Sequence, residues 1–310
     1  MLIIIRAYPD RGTIRRVSTV PLDQHSTVVD GLEVAYLAAG PEDGPLALCL
    51  HGFPDTAHTY RFLLPELAAA GFRAVAPFSR GYAPTGVPAD GLFQTGALAR
   101  DANGLHEVLG GGSDAVLVGH DWGAQATYGA AASQPDRWKR VVAMAVPVGA
   151  ALAGTFLSYA QIKRSFYMYF FQSPLADFVV AGDDLAFIAH LWEDWSPGYD
   201  ATADVAHVRA ALGAPENLGA ALGYYRALFD PSRHSSELAD EQAAVSGVPP
   251  QPTLYLHGAQ DGCIDPATAE AARAVLSPGS DVVVVDGAGH FLHLEQPGNV
   301  NPRIVSFLSA

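Results

Sequence analysis

Cysteine is nearly absent from this sequence of 310 residues, which contains only Cys49 and Cys263, far apart in the chain. Neither a disulfide framework nor a cysteine metal-binding motif is therefore expected. The low cysteine content is consistent with a protein of a reducing compartment. Basic residues are also few, because 18 Lys and Arg against 32 Asp and Glu leave a formal net charge of −14. This charge repels nucleic-acid phosphates and anionic lipid surfaces, so we expect no nucleic-acid partner.

Long hydrophobic runs are missing as well. No apolar stretch approaches the roughly 20 residues that a membrane-spanning helix needs. The apolar run at residues 1–5 is shorter than the core of a secretory signal, and arginines follow it instead of a small-residue cleavage site. We predict a cytoplasmic protein without a membrane partner. No motif bears on oligomeric state, so a homodimer is left open.

Hydrophobic residues make up 49% of the chain, enough for one large core or for a core with a smaller insertion. In the first half, short β-branched runs alternate with alanine-rich stretches, a pattern typical of a mostly parallel sheet covered by helices. Strands are predicted at residues 46–50, 73–76, 115–118, 141–145, 253–257 and 281–285, and helices at residues 63–70, 123–133 and 266–275.

The strand pattern stops between residues 148 and 247, where aromatic side chains cluster. We interpret residues 148–247 as a helical cap inserted into an α/β core domain made of residues 1–147 and 248–310. The turn-rich stretch at residues 247–252 marks the return to the core. There is no internal repeat and no low-complexity tract.

Asp121 is the centre of Gly-His-Asp-Trp-Gly, residues 119–123, between a predicted strand and an alanine-rich helix. The flanking glycines fit a sharp strand-to-helix turn that strains the central residue and leaves no room for neighbouring side chains. Asp121 would project at the start of a helix, where backbone N–H groups favour negative charge. An aspartate there could also simply cap the helix. We favour a nucleophile.

The motif His-Gly-Phe-Pro, residues 51–54, directly follows the predicted strand at residues 46–50. We expect the backbone N–H groups of Phe53 and Trp122 to converge on an oxygen that gains charge, as an oxyanion hole does. Alone, Gly-Phe-Pro is an ordinary tight turn, and only its pairing with Asp121 makes it informative. Phe53, Pro54 and Trp122 are also expected to line a substrate pocket.

Asp261 and His290 each follow one of the last two predicted strands. With Asp121 they give the chain order nucleophile, acid, histidine, which predicts a catalytic triad. Asp265 is a rival acid, but it precedes a proline and better suits a helix N-cap. His293 is a rival histidine, but it lacks the Gly-x-Gly-His turn that contains His290.

From about residue 26 to residue 310, the sequence resembles the epoxide hydrolases of the α/β-hydrolase superfamily. The shared motifs, in order, are residues 51–54, Arg-Gly-Tyr at residues 80–82, residues 119–123, Asp261 and His290. The resemblance implies an α/β-hydrolase fold, with a mostly parallel eight-stranded sheet flanked by helices and an inserted cap. The family usually has an aspartate before its Arg-Gly-Tyr, whereas this chain has Ser79. We expect that departure to affect loop packing and pocket shape, not the reaction class.

Two further motifs resemble the cap motifs of this family, Tyr-Met-Tyr-Phe-Phe-Gln at residues 167–172 and Gly-Tyr-Tyr-Arg at residues 223–226. The resemblance implies that Tyr167 and Tyr225 hydrogen-bond the epoxide oxygen and supply its proton. Tyr169 and Tyr224 are the alternatives. Any one of these tyrosines could instead be part of the apolar packing of the cap.

An aspartate nucleophile suits a substrate with an electrophilic tetrahedral carbon, because attack there gives an ester that water can cleave. The resemblance implies that Asp121 opens a small apolar epoxide while the cap tyrosines protonate its oxygen. Water activated by His290, which Asp261 orients, would then release a vicinal diol. Water is the second substrate, and neither a metal nor an organic cofactor is expected.

A haloalkane dehalogenase is the nearest alternative, since it uses the same three catalytic groups. Trp122 could donate its indole N–H to a halide, but Phe53 replaces the amide side chain that often makes the second halide contact. Trp192 or Trp195 could substitute for it, although both better suit the cap core. Trp122 also disfavours a fluoroacetate dehalogenase, which carries an arginine there.

A catalytically idle scaffold that binds an apolar ligand is the alternative from a different class, because fold does not determine function. Such a protein would be expected to have lost at least one member of the triad. Asp121, Asp261 and His290 are all present. The sequence therefore favours an enzyme, while leaving the identity of the epoxide and its stereochemistry open.

Overall fold

The structure, a computed structural model, describes residues 22–310. The apolar run at residues 1–5 and the arginines after it, on which the expectation about secretion rests, lie outside the described residues. Within residues 22–310, no helix is both long and apolar enough to cross a membrane. The cytoplasmic location and the homodimer stay predictions.

One sheet of eight strands runs through the molecule in the order β1-β2-β4-β3-β5-β6-β7-β8. The strands are β1 Asp23–Val29, β2 Leu32–Ala39, β3 Leu46–Leu50, β4 Arg73–Pro77, β5 Val116–His120, β6 Arg140–Met144, β7 Thr253–Gly258 and β8 Asp281–Val285. β2 pairs antiparallel with both β1 and β4, and the remaining pairs are parallel. The predicted mostly parallel eight-stranded sheet is confirmed, and the six predicted strands begin and end within two residues of the observed ones.

Helices cover the sheet, as predicted. They are α1 Leu63–Ala69, α2 Thr95–Val108, α3 Trp122–Ser133, α4 Gly149–Leu152, α5 Tyr159–Arg164, α6 Phe166–Phe170, α7 Ala176–Trp195, α8 Thr202–Leu212, α9 Pro215–Phe229, α10 Ala239–Val245, α11 Thr268–Val275, α12 Leu292–Glu295 and α13 Pro297–Leu308. The three helices predicted in the core correspond to α1, α3 and α11. α7 is interrupted at residues 182–185, where the backbone leaves the helical region.

The strands β1 and β2 are absent from the sequence-based prediction. β1 is a polar edge strand, exposed along most of its length, so it lacks the buried apolar run that identified the others. A signal was nevertheless present, because Asp30 and Gly31 join the two strands with φ angles of 48° and 81°. Asp-Gly between β-branched segments is a strong indicator of a tight hairpin.

Between β6 and β7, the regular structure is entirely helical, from α4 to α10. We call residues 149–245 the helical insertion. Its last helix, α10, packs against α2 and α3 on the sheet domain. Close contact is possible there because Gly96 of α2 lies directly against the backbone of Gln242. The division of the chain at residues 148 and 247 into core and cap domains stays a prediction.

The central strands β3, β5 and β7 are buried at every residue, as strands covered on both faces must be. Because these strands are parallel, their carboxyl ends meet at one edge of the sheet, the usual position of ligand sites in α/β proteins. The predicted site residues follow β3, β5, β7 and β8 at this edge. The topology alone thus brings together segments that are far apart in the sequence.

The turn from β5 into α3 is tightly packed at this edge. A Cβ atom on Gly123 would collide with the carbonyl oxygen of Leu50 on the neighbouring strand, and one on Gly119 would collide with the carbonyl of Gly123. Asp121 between them has φ 54° and ψ −119°, a conformation that side-chain-bearing residues rarely adopt. The surrounding packing must stabilise this strained backbone.

We expect Gly123→Ala to lower the free energy of unfolding by about 3 kcal/mol or more, because backbone atoms of Leu50 would have to move. Gly219→Ala is the matched control. Gly219 lies inside α9 with no atom within 4 Å of an added Cβ, so alanine should stabilise the helix by up to about 1 kcal/mol. Urea denaturation measures both. Equal stability of the two variants would show that the turn is not sterically constrained by β3.

Candidate active site

Asp121, His290 and Asp261 lie in line at the carboxyl edge of the sheet. Nε2 of His290 is 3.6 Å from Oδ2 of Asp121, and Nδ1 of the same ring is 3.0 Å from Oδ2 of Asp261. All three side chains are buried. The structure therefore places one imidazole between two carboxylates, in the arrangement that a nucleophile, a base and an orienting acid require.

Asp261 is held by its own loop. Its Oδ1 accepts hydrogen bonds from the backbone N–H groups of Cys263, at 2.7 Å, and Ile264, at 3.0 Å. Burial by itself raises the pKa of Asp261, but the neighbouring His290 outweighs burial and lowers that pKa overall. The carboxylate therefore stays ionised against the imidazole. Asp265 instead accepts from the N–H of Ala267, just before α11, and no contact joins it to His290.

The charge on His290 depends on both carboxylates. Burial opposes the charged imidazolium, but Asp261 and Asp121 outweigh burial and raise the pKa of His290 from 6.5 to about 10. At neutral pH the ring is thus protonated. The pKa of His290 would therefore fall if Asp121 lost its negative charge.

The loop of residues 51–54 presses against Asp121. The Phe53 N–H donates a hydrogen bond of 2.7 Å to Oδ1 of Asp121. A Cβ atom on Gly52 would overlap that same oxygen and the backbone nitrogen of Trp122, so only glycine allows this approach. The amide of Trp122 opens α3, where N–H groups lack partners within their own helix. The two predicted oxyanion-hole amides thus lie beside the carboxylate.

The hydroxyls of Tyr167 and Tyr225 have different surroundings. Both side chains are buried, and their rings pack edge to face, with centroids 5.5 Å apart. The Tyr167 hydroxyl lies 3.4 Å from Sγ of Cys263, whereas the Tyr225 hydroxyl has no partner at hydrogen-bond distance among the described residues. Burial, and then the charge of Asp121, raises the pKa of Tyr225, so its phenol keeps its proton. The nearby indole N–H of Trp122 nevertheless lowers the pKa of Tyr225 slightly.

The alternative tyrosines have structural contacts instead. The Tyr224 hydroxyl donates a hydrogen bond of 2.6 Å to the carbonyl oxygen of Arg80, the arginine of the Arg-Gly-Tyr motif. The guanidinium of Arg80 in turn binds Asp101 through two hydrogen bonds of 2.7 Å. Tyr169 is 38% exposed and packs on Phe229. Neither hydroxyl is directed to Asp121 by any contact in residues 22–310.

A cavity of about 500 Å³ adjoins Asp121, Trp122 and Tyr225. Its wall is mostly apolar and comes largely from the helical insertion, including Met168 and Phe156. Of the three residues predicted to line the pocket, Trp122 does so. Phe53 and Pro54 are not part of its wall, because the Phe53 ring is fully buried against Phe171 and Tyr225 and Pro54 is buried beneath Trp192.

The tryptophans differ in what their indole N–H groups can do. Nε1 of Trp192 donates to the carbonyl oxygen of Pro54 at 2.9 Å, so this group is already engaged. The Trp195 ring packs against His290 at a centroid distance of 5.1 Å. Nε1 of Trp122 is buried and has no partner within the described part of the chain. Among the described tryptophans, only Trp122 therefore combines a place on the cavity wall with an indole N–H that has no partner at hydrogen-bond distance, and the Tyr225 hydroxyl lies nearby.

Cys263, which lies two residues after Asp261, was not predicted from the sequence to be a site residue. Its Sγ contacts the Tyr167 hydroxyl and lies within 4.8 Å of both a carboxylate oxygen of Asp121 and a ring nitrogen of His290. Its position next to Asp261 in the sequence was the one available indication. Cysteine is common in protein interiors, so that position alone did not distinguish it from a packing residue.

A family model for the α/β hydrolase fold matches residues 45–297 of this chain. The chain is 32% identical to an epoxide hydrolase of Caballeronia sordidicola, over 86% of this chain and 88% of that protein. The chain belongs to the epoxide hydrolases of the α/β-hydrolase superfamily. This family is the one that the sequence motifs indicated.

Solved structures give the same picture of the fold. An epoxide hydrolase of Bacillus megaterium superimposes with a TM-score of 0.77 at 26% identity. The superposition covers 92% of this chain and 100% of that chain. A haloalkane dehalogenase variant from Bradyrhizobium elkanii reaches 0.76 at 22% identity, covering 94% of this chain and 97% of the other. The second likeness shows the fold alone, so the overall fold does not separate the two reactions.

The paired tyrosines of α9 allow a matched stability test. Tyr224→Phe removes a buried hydroxyl that binds the Arg80 carbonyl and should cost about 1 kcal/mol of unfolding free energy. Tyr225→Phe removes a hydroxyl with no partner among residues 22–310, so we expect a change below about 0.5 kcal/mol. Thermal and urea denaturation measure both values. A larger loss for Tyr225→Phe would mean that its hydroxyl is bound within the folded protein.

The raised pKa of His290 predicts a pH dependence of stability. The folded protein binds this proton more tightly than the unfolded chain, whose histidine has a pKa near 6.5. The stabilisation is therefore complete below pH 6.5 and is lost as the pH rises towards about 10. We expect the unfolding free energy to fall over this window by at least about 1 kcal/mol more in the unmodified protein than in His290→Gln. Parallel pH profiles would contradict the protonated imidazole.

Proposed function

We propose that this protein hydrolyses epoxides to vicinal diols through a covalent ester on Asp121. The observation that carries the proposal is the pairing of a carboxylate with a buried phenol across one apolar cavity. Asp121 and Tyr225 both line that cavity, and the Tyr225 hydroxyl has no partner among the described residues. A small apolar epoxide fits between a group that attacks carbon and a group that protonates oxygen.

Ring opening begins with the carboxylate. Oδ1 of Asp121 is bound by the Phe53 N–H, so Oδ2, on the side of His290, is the oxygen that attacks. The new bond joins Oδ2 to a ring carbon as the carbon–oxygen bond of the epoxide breaks. Oδ1 then becomes the carbonyl oxygen of the ester. It already lies against the amide that will stabilise it as an oxyanion in the next step.

The released alkoxide oxygen needs a proton, and the tyrosines are the donors. Burial raises the pKa of both Tyr167 and Tyr225, so each phenol is protonated at neutral pH and can donate. The hydroxyl of Tyr167 starts from a weak contact with the Cys263 sulfur, at 3.4 Å, which it exchanges for the epoxide oxygen. One phenol transfers its proton and the other holds the oxygen by a hydrogen bond.

Ester formation changes the state of His290. Alkylation removes the charge of Asp121, one of the charges that raise the pKa of this imidazole. The imidazolium can then give up its Nε2 proton, which restores the phenol that protonated the alkoxide. The neutral ring is now a base, and Asp261 still holds its Nδ1–H at 3.0 Å. Base catalysis therefore becomes available only after the ester has formed.

Hydrolysis completes the cycle. His290 takes a proton from water, which attacks the carbonyl carbon of the Asp121 ester. The negative charge develops on Oδ1, where the Phe53 N–H and the neighbouring Trp122 N–H stabilise it. Collapse breaks the bond between the carbonyl carbon and Oδ2, and Oδ2 leaves with the diol after taking the remaining proton of the added hydroxyl. Asp121 is left as a carboxylate and His290 as an imidazolium. None of these steps calls for a metal or an organic cofactor.

Haloalkane dehalogenation is the second candidate, and one observation favours it. The unpaired indole N–H of Trp122 on the cavity wall could receive a departing halide. A second donor is harder to find, because Trp192 is engaged with the Pro54 carbonyl and Phe53 presents a hydrocarbon ring. The two buried phenols have no role in halide release. We therefore favour the epoxide.

His290→Gln separates the two chemical steps. Attack by Asp121 needs no base, so this variant should still open the ring, but the ester should persist because water lacks its activator. Mixing it with an aryl epoxide should raise the intact-protein mass by that of the whole epoxide, and peptide mapping should place the label on Asp121. His293→Gln is the control, since His293 binds Thr59 and has no place in the reaction. That variant should turn over without accumulating ester.

A bromoalkane provides the competing arm of the same experiment. A dehalogenase would gain only the alkyl group and release bromide. Bromide without diol would replace the proposed activity by dehalogenation. Asp121 would be refuted as the nucleophile by either of two results. The His290→Gln protein could bind the epoxide and remain unlabelled, or the label could be found on another residue.

A further inference from the structure

Three side chains of the kinds that bind transition metals converge beside the cavity. A carboxylate oxygen of Asp121, a ring nitrogen of His290 and the sulfur of Cys263 all lie within 4.8 Å of one another. The proposed reaction uses the first two and leaves Cys263 without a chemical role. We propose that Asp121, Cys263 and His290 form an inhibitory binding site for Zn²⁺ and other divalent cations that favour thiolate ligands.

The spacing is close to that of a tetrahedral metal site. Bonds of about 2.0 to 2.3 Å from zinc to oxygen, nitrogen and sulfur place neighbouring ligand atoms about 3.5 Å apart. Oδ2 of Asp121 and Nε2 of His290 are already separated by 3.6 Å. The Cys263 sulfur therefore needs to approach by no more than about 1.3 Å.

His290 is already oriented as a metal ligand. Its Nε2 is fully buried and makes no hydrogen bond to any described residue. Its Nδ1–H is held by Asp261 at 3.0 Å, which is the carboxylate–histidine–metal arrangement of known zinc sites. A metal on Nε2 would thus replace a proton without disturbing the partner behind the ring.

The negative charge of the chain and the cavity beside Asp121 also favour binding of a cation at this site. The chain has a formal charge of −14, and Asp121 connects the site to a cavity of about 500 Å³. At neutral pH the ion must displace the thiol proton of Cys263 and the Nε2 proton of His290. Both protons pass to the buffer, and the bound ion then blocks the nucleophile and the base together.

A second group of ligand-type atoms lies deeper, in Asp55, His120 and His293. These side chains are buried, and none of them lines a cavity that reaches Asp121. This second group contains no thiol, so a signal specific to a metal–thiolate bond distinguishes the two sites. The only other cysteine, Cys49, lies within strand β3 and serves as a matched control.

Titration with Cd²⁺, a thiolate-favouring analogue of Zn²⁺, tests the site directly. The ultraviolet thiolate-to-Cd²⁺ absorption should appear in the unmodified protein and in Cys49→Ser, and it should be missing in Cys263→Ser. Zn²⁺ should displace Cd²⁺ and remove the band. These spectra need no substrate, so their outcome is independent of whether the protein opens epoxides.

Inhibition is measured in the same variants, each against its own metal-free rate of diol formation. We expect the Cd²⁺ concentration for half inhibition to rise at least tenfold in Cys263→Ser and to stay unchanged in Cys49→Ser. His290→Gln is the second ligand variant, and its half-saturating Cd²⁺ concentration in the spectral titration should also rise at least tenfold. A band that survives Cys263→Ser, or is lost in Cys49→Ser, would overturn the site. Equal inhibition of Cys263→Ser and the unmodified protein would do the same.

Discussion

The packing of the β5–α3 turn against β3 is the constraint on which the site depends. Gly123 lies so close to the Leu50 carbonyl that any side chain there would push α3 away from β3. This contact holds Asp121 at a positive φ and directs its carboxylate at the Phe53 N–H. A strained residue survives only where its surroundings over-determine its position. Here two buried parallel strands provide that rigidity.

Charge balance around His290 links the structure to the proposed chemistry. One imidazole lies between two carboxylates in a buried site, so its proton is held tightly as long as both are ionised. When the reaction converts Asp121 into a neutral ester, one of the two negative charges that hold the His290 proton is lost. The same pair of ligands, together with Cys263, would suit a divalent cation. Two side chains proposed for catalysis, Asp121 and His290, are thus also proposed ligands of an inhibitory metal ion.

Prediction from the sequence succeeded where one short segment carries its own signal. Parallel strands buried on both faces read as continuous apolar runs, and the residues after them were therefore expected at one edge of the sheet. β1 was missed because an edge strand exposes its polar residues to water. The pocket wall was only partly anticipated, since Phe53 turns into the aromatic packing around Tyr225 instead of lining the cavity. The domain boundaries and catalytic roles stay predictions.

The sequence alone determined the order of the elements, the sharp turn at Asp121 and the residue types available for chemistry, because these depend on local backbone geometry and on hydrophobic periodicity. Tertiary structure decided which side chains meet. The closeness of Cys263 to Asp121, the engagement of Trp192 by the Pro54 carbonyl and the different surroundings of Tyr224 and Tyr225 arise from contacts between segments distant in the chain. No local pattern encodes such contacts, because they depend on how separate elements pack in three dimensions.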